Sequence, residues 1–376
     1  MQETNLLQRS IILAGSGNTD EREKTMIRVL VVDDSAFSRK IIAKILESIP
    51  DVEVVDSARD GQEAIKKTMR LRPDLITLDL EMPNMNGFTF LRWLMSYLPT
   101  PVIVVSAQKA DESVFKAMDL GAVDFVAKPT HHASLRLKEI EADLIQKVLA
   151  VPLLTIAKIK ERMEQKPEGT LKLLEKRMRR SSLPLIGIGS STGGPPAIQT
   201  IIQSLPPGFD VPVLIAQHMP PGFTSFFAER LNRLTSLQVK EAANDDLLVP
   251  GAIYIAPGGK NLTVERHGSH MIACLKERRQ DHRYCPSVDL LLNSIAQEAQ
   301  ASAIGVILTG MGDDGKAGLK EIKEKGGITI AESEQTAIIY GMPQEAAKTG
   351  AVDFVLPLSE IAGALTSLTD IRNDKS

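Results

Sequence analysis

The chain has 376 residues, of which 43% are hydrophobic and 24% charged, a length that accommodates two cores at roughly 100 to 200 residues per domain. A formal net charge of -3 gives no electrostatic basis for a nucleic-acid protein. Cys274 and Cys285, the two cysteines, form neither a disulfide framework nor a paired-ligand spacing, which fits a reducing cytoplasm, and no apolar run approaches the roughly 20 residues that direct insertion into a bilayer requires.

Residues 1–25 read as a disordered N-terminal extension or an artefact of start assignment: the short apolar patch at Ile11 to Gly15 makes a poor signal peptide, and Met26 stands directly before the first strand. From there the pattern alternates. Strands are expected at Arg28 to Val32, Val52 to Ala58, Leu75 to Leu78, Val102 to Ser106 and Asp124 to Ala127, with helices at Ser38 to Ile49, Gly61 to Leu71, Gly87 to Tyr97 and Glu112 to Leu120. Short connections of this kind imply a doubly wound parallel sheet, flavodoxin-like, in which ligands lie beyond the carboxyl ends of the strands. Those ends carry Asp33, Asp34, Asp79, Ser106 and Lys128. Converging carboxylates repel unless a cation neutralises them, and an all-oxygen set with room for water suits Mg2+. An ammonium nearby would hold a phosphoryl oxygen, and a carboxylate can itself accept phosphorus. Asp79, on the central strand, is the expected acceptor. A lone aspartate after a strand is usually a turn former or a cap; five such groups at matching strand ends are a different matter.

The motifs VLVVDDS, LDLEMPNMNG, VIVVSA and DFVAKP resemble the response-regulator receiver domain, and the domain is assigned to residues 26–148. That resemblance implies a chemotaxis histidine kinase as phosphodonor to Asp79, Mg2+ held by Asp33, Asp34, Asp79 and the carbonyl of Glu81, and a relay through Ser106 and Lys128. Phe125 takes the switching aromatic position, where it lacks a hydroxyl. The tandem His131 and His132, before a polar helix at Leu135 to Val148, are taken as surface residues, and residues 149–181 read as a partly helical, charged linker whose basic run at Lys176, Arg177, Arg179 and Arg180 is a solvated tether.

From residue 182 the strand and helix pattern resumes to about 371. Strands are expected at Leu183 to Ile188, Val211 to Gln217, Ala252 to Ala256, Ala303 to Thr309, Gly327 to Ala331 and Asp353 to Leu356, with a hairpin of Leu262 to Arg266 and Met271 to Lys276. Helices are expected at Ala197 to Leu205, Gly222 to Leu234, Ser287 to Ala299, Gly315 to Lys325, Pro343 to Thr349 and Ser359 to Leu368. The glycine-rich turn GIGSSTGGPP, Gly187 to Pro196, joins a buried strand to a helix, so Ser190, Ser191 and Thr192 lie beside backbone N–H donors. Such a loop is either a nucleophile's turn or a phosphate or dinucleotide cradle. The dinucleotide site wants an acidic residue ending the second strand; here stand Gln217 and His218. The other strand ends deliver His218 and the pair Asp313 and Asp314, so a hydroxyl, an imidazole and a carboxylate share one rim, the ingredients of an activated serine.

GSSTGG, QHMPPGFT, IAPGG, PSVD, LTGMGDDG and GMPQEA resemble the catalytic domain of the chemotaxis protein-glutamate methylesterase family, CheB. The resemblance implies hydrolysis of glutamate methyl esters on methyl-accepting chemoreceptors, deamidation of glutamines as a related activity, and no cofactor in this domain. It assigns Ser191 as nucleophile, His218 as base and Asp314 as its orienting acid. Backbone N–H groups at Thr192 and Met311 are oxyanion-hole candidates; the Thr192 hydroxyl either orients His218 or, like Ser190, caps the helix. Cys285 departs from the arginine usual before ProSerVal. The overall fold class is thus α/β, two doubly wound parallel-sheet domains, the second with a β-hairpin flap. The alternative function is a receiver-driven binding module that docks receptor tails or kinase without turnover.

Overall fold

The computed structural model describes residues 26–106, 112–128, 134–154, 184–279 and 282–369. The N-terminal extension, His131 and His132, and residues 155–183, which take in most of the linker with its basic run, lie outside them. In the first half, β1 (Ile27–Val32), β2 (Val52–Ala58), β3 (Leu75–Leu78), β4 (Val102–Ser106) and β5 (Asp124–Ala127) form a parallel sheet in the order β2-β1-β3-β4-β5. Strands covered on both faces need no polar alternation, and β3 and β5 are buried along their whole length. Around them lie α1 (Ala36–Glu47), α2 (Gly61–Leu71), α3 (Gly87–Tyr97), α4 (Glu112–Asp119) and α5 (Ser134–Leu149). Helix α1 starts two residues before the predicted Ser38 because the Ser35 side chain caps it, accepting from the Ser38 amide. Asp60 and Asn86 cap α2 and α3 in the same way.

The second half is a seven-stranded parallel sheet. It comprises β6 (Leu185–Ser190), β7 (Val213–Gln217), β8 (Gln238–Glu241), β9 (Ala252–Ile255), β12 (Ala303–Ile307), β13 (Ile328–Glu332) and β14 (Phe354–Leu356), ordered β14-β13-β12-β6-β7-β9-β8. The antiparallel pair β10 (Lys260–His267) and β11 (His270–Glu277) stands apart as the predicted hairpin, longer at both ends. Its helices are α6 (Gly194–Ser204), α7 (Phe223–Leu234), α8 (Val288–Ala299), α9 (Lys316–Glu324), α10 (Met342–Lys348) and α11 (Leu358–Thr369). Sequence reading places the start of α6 at Ala197, yet it begins at Gly194, because Pro195 and Pro196 occupy the first turn, where a missing N–H costs nothing. Strand β8 goes unpredicted: it is short, polar and at the sheet edge, so it carries no apolar period. Central strand β6 admits α8 closely through glycines. A Cβ on Gly189 would lie 2.1 Å from a Val288 methyl, and one on Gly187 would lie 2.5 Å from Leu292.

The two halves touch along a continuous apolar seam. Helix α4 of the first half lies against α6 and α7; Phe115 stacks on Phe227 with centroids 5.3 Å apart, and Phe125 meets Phe223 at 4.6 Å. Arg230 binds Asp119 at 2.6 Å, and Arg233 pairs with Glu112 at the edge. A second cluster joins Val123, Ala150 and Leu154 of the first half to Ile338, Ile339 and Met311.

Candidate active site and receiver acidic pocket

Strands β6 and β7 pair in register to Ser190 and Gln217, so the next residue of each, Ser191 and His218, leaves the sheet side by side. Two further bonds fasten the rim: the His218 amide donates to the Ser190 carbonyl at 3.1 Å, and the Ser191 amide to the Thr309 carbonyl at 3.1 Å. Gln217 buckles the pair together. Its Nε2 donates to the carbonyls of Ser191 (2.9 Å) and His218 (3.0 Å), while its Oε1 accepts from the Ser190 hydroxyl at 2.6 Å. The third participant arrives after β12. His218 Nε2 lies 2.8 Å from Asp314 Oδ2. The carboxylate also accepts from the Val288 amide (2.7 Å), the Asp289 amide (2.9 Å) and the Ser287 hydroxyl (3.1 Å), at the N-terminus of α8. Burial alone would raise the Asp314 carboxyl; the bond to His218 and those backbone donors outweigh it and hold the group below the ordinary carboxylate value.

A carboxylate on Nε2 fixes the proton there, leaving Nδ1 with a lone pair. Nδ1 is buried and has no hydrogen-bond partner, so the Ser191 hydroxyl is not bonded to it in this structure. Ser191 itself is 6% exposed. The loop after β12 runs against the serine closely enough that a Cβ on Gly310 would come within 2.7 Å of the Ser191 Cβ, bringing Met311 next to the turn.

In the receiver, Asp33 and Asp79 are buried and Asp34 is exposed; carboxylate oxygens of the three lie within 4.8 Å of one another. Lys128 reaches both buried acids, at 2.6 Å from Asp79 Oδ2 and 3.0 Å from Asp33 Oδ2. Burial pushes the Asp33 carboxyl up to about 6, with Lys128 pulling it down and the charge of Asp79 adding to the rise. Lys128 is raised: burial disfavours its charge, but the bond and charge of Asp79, then Asp33, outweigh that. Glu81 donates its amide to Asp79 Oδ1 at 3.2 Å. Ser106 ends β4 opposite Ala127.

The sequence matches two family descriptions, "Response regulator receiver domain" over residues 29–139 and "CheB methylesterase" over residues 186–365. It is 46% identical to a protein-glutamate methylesterase/protein-glutamine glutaminase of Geobacter sulfurreducens, over 93% of this chain and 99% of that protein. The chain belongs to the CheB family. Among solved structures, the CheB methylesterase catalytic domain of Thermotoga maritima is 40% identical, with a TM-score of 0.49, over 50% of this chain and 99% of that one. The receiver domain of the Thermotoga maritima CheB is 44% identical, with a TM-score of 0.32, over 34% of this chain and 96% of that one.

Within this CheB chain Ser191, His218 and Asp314 lie at one rim, and Asp33, Asp34, Asp79 and Lys128 converge at the other site. Two readings are corrected. The α6 cap is Gly193 in the left-handed region (φ 76°) without a side-chain bond, so neither Ser190 nor Thr192 caps that helix. The Thr192 hydroxyl also does not orient His218, whose ring bonds only Asp314 among the described residues. Met219 and Met342 are buried in the core, as packing residues. His282 bonds Asn261 at 3.1 Å. Gln217 as a buckle and the Ser287 to Asp289 cradle of Asp314 are features not foreseen from the sequence. A glutamine at the end of an otherwise apolar strand was the available signal for the first, and a serine at a helix start for the second.

Proposed function

We infer that the chain, as a member of this family, is a protein-glutamate methylesterase controlled by phosphorylation of its receiver domain. We propose that its Ser191, His218 and Asp314 carry out the hydrolysis. The Ser191 oxygen attacks the ester carbonyl as His218 Nδ1 takes its proton. The tetrahedral oxyanion is met by backbone N–H groups at Thr192 and Met311, and its collapse breaks the ester C–O bond as His218 returns the proton to leaving methanol. Water then attacks the acyl carbon with His218 again as base, releasing a glutamate carboxylate and restoring the serine. A glutamine side chain follows the same route with ammonia leaving. The observation that carries this reading is the imidazole, tied to Asp314 through one nitrogen and presenting a buried, unpartnered second nitrogen beside the Ser191 turn.

In the receiver, Asp79 is the phosphoryl acceptor, Lys128 neutralises it, and Asp33, Asp34, Asp79 and the Glu81 carbonyl would hold Mg2+. The fit is chemical: buried acids around a partly neutralised pocket, with Asp33 forced upward by its surroundings. Bound there, the ion supplies positive charge to an incoming phosphoryl group and to the crowded carboxylates. Ser106, Phe125 and Lys128 transmit the change. Receiver residues pack on Met311 and on Ile338 beside the Gly193 turn, so the unphosphorylated receiver covers the entrance to Ser191. The natural partners in this reading are methyl-accepting chemoreceptors and a chemotaxis histidine kinase. Among the described residues no helix is long and apolar enough to cross a membrane; the cytoplasm is the compartment that its phosphodonor and receptor tails require.

A fluorophosphonate probe tests the triad against the binding-module alternative. Labelling of the wild type and of Asp79→Asn, with none in Ser191→Ala, is expected; absence of labelling in every form would leave only the binding reading.

A further inference from the structure

His218 is held at one nitrogen only. A single hydrogen bond from Nε2 to Asp314 fixes a distance and a direction but leaves the ring free to turn about that axis, and Nδ1 has no partner to stop it. The missing restraint comes from outside the three triad residues. Tyr284, on the segment between β11 and α8, lies flat on the imidazole, with ring centroids 4.6 Å apart and planes 6° from parallel. Tyr284 is in turn fixed. Arg283 covers its ring at 5.0 Å and reaches Asp313 at 3.6 Å, and Asp313 is tied to Lys316 at 2.7 Å. The phenol oxygen is buried without a hydrogen-bond partner and pressed on the loop that follows β12: a Cβ on Gly312 would lie 2.4 Å from it. Gly312 also adopts φ 95°, so glycine serves both the turn and the ring. Burial drives the phenol up to about 12, with the charge of Arg283 the main opposing influence. It therefore stays protonated and neutral at physiological pH.

We propose that Tyr284 is a positioning residue for ester hydrolysis, its aromatic face locking the plane of His218 so that Nδ1 points at the Ser191 hydroxyl. The contact with His218 is made by the ring and not by the hydroxyl, and a stacked aromatic pair is favourable. Misplacing a reacting group by about 1 Å costs on the order of 100-fold in rate, so loss of the ring should register in turnover rather than in binding.

The inference rests on His218 being the base, and the experiment separates the two. Full-length protein with a phosphodonor is assayed for methanol release and for the rate of fluorophosphonate labelling of Ser191, in wild type, Tyr284→Phe, Tyr284→Leu and His218→Gln. Tyr284→Phe should stay within about two-fold of wild type, while Tyr284→Leu should lose about 10- to 100-fold in kcat with KM changed by less than about two-fold, and label correspondingly slowly. A fall in Tyr284→Phe equal to that in Tyr284→Leu would assign the effect to the hydroxyl and overturn the proposal. So would wild-type kcat in Tyr284→Leu. If Tyr284→Leu does not fold, Tyr284→Met, which fills the space without an aromatic face, takes its place with the same expected loss, and wild-type kcat there would overturn the proposal. Unaltered labelling in His218→Gln would instead remove the base assignment, whatever the tyrosine variants do.

Discussion

Asp33 and Asp314 are the same residue type, both buried, both at the carboxyl end of a strand in a parallel sheet, and their acidities move in opposite directions. Asp314 accepts from two amides at the start of α8, a serine hydroxyl and an imidazole, and sits below the ordinary value. Asp33 accepts from one amide, that of Ser35, shares one lysine with a neighbouring acid, and is pushed up to about 6. The difference is in the donors each acid meets. Around Asp314 the donors are already in place as folded, which under the proposed mechanism is the preorganisation that electrostatic catalysis demands. The receiver pocket is short of positive charge and is completed by what it binds. A site that is ready has to be covered, and a site that is incomplete can serve as the trigger for uncovering it.

The sharpest way to break this contrast is to spoil the complete site without changing its shape. Asp314→Asn keeps the volume but offers an amide in place of a carboxylate, so the imidazole loses its fixed tautomer and its counter-charge. The expected loss in kcat is about 10^4-fold, read as methanol release under saturating phosphodonor; a loss below about 10-fold would mean that the carboxylate is structural only. The corresponding change in the receiver is Asp79→Asn. It should leave unphosphorylated turnover as it is and abolish the response to phosphodonor, a coupling typically worth about 5- to 150-fold. Stimulation equal to wild type in that variant would detach the acidic pocket from control of the esterase.

Legibility followed locality. The strand ends carrying Asp33, Asp34, Asp79 and Lys128 could be read because a buried parallel strand announces itself as an apolar run, and the chain must leave the sheet where the run stops. The same logic delivered Ser191 and His218, whose strands are neighbours in the sheet. It delivered Asp314 only as one of two adjacent acids, because the donors that separate it from the half-buried Asp313 belong to the start of α8 and its cap, 25 to 27 residues away. Gln217 looked like the polar end of a strand, and its bonds to Ser190 and Ser191 exist only once β6 and β7 are side by side. Tyr284 carried no periodic signal at all, since it sits on an irregular return segment and its meaning is a ring face presented to a distant histidine. The seam between the halves was equally hidden: Phe115, Phe223 and Phe227 carry no signal of a partner domain, and Phe125 reads only as the switching aromatic of its own domain.

That seam offers the gentlest test of the contrast, because it can be loosened without touching either site. Arg230 is largely covered and binds Asp119, which is about half exposed, with side-chain exposures of 15% and 44%. Burial raises Asp119 despite the opposing charge of Arg230, so the pair holds the seam weakly. Partly exposed ion pairs contribute about 0.2 to 1 kcal/mol, and if the pair forms only while the receiver is docked, removing it favours the undocked state by at most about 5-fold. Arg230→Ala should therefore raise turnover of the unphosphorylated protein by up to about that factor, leave turnover of the phosphorylated protein unchanged, and compress the ratio between them. The direction decides the matter: Arg230 also bonds Gln199 within the catalytic half at 3.3 Å, and if its role were internal to that half, both forms would lose activity together and the ratio would hold.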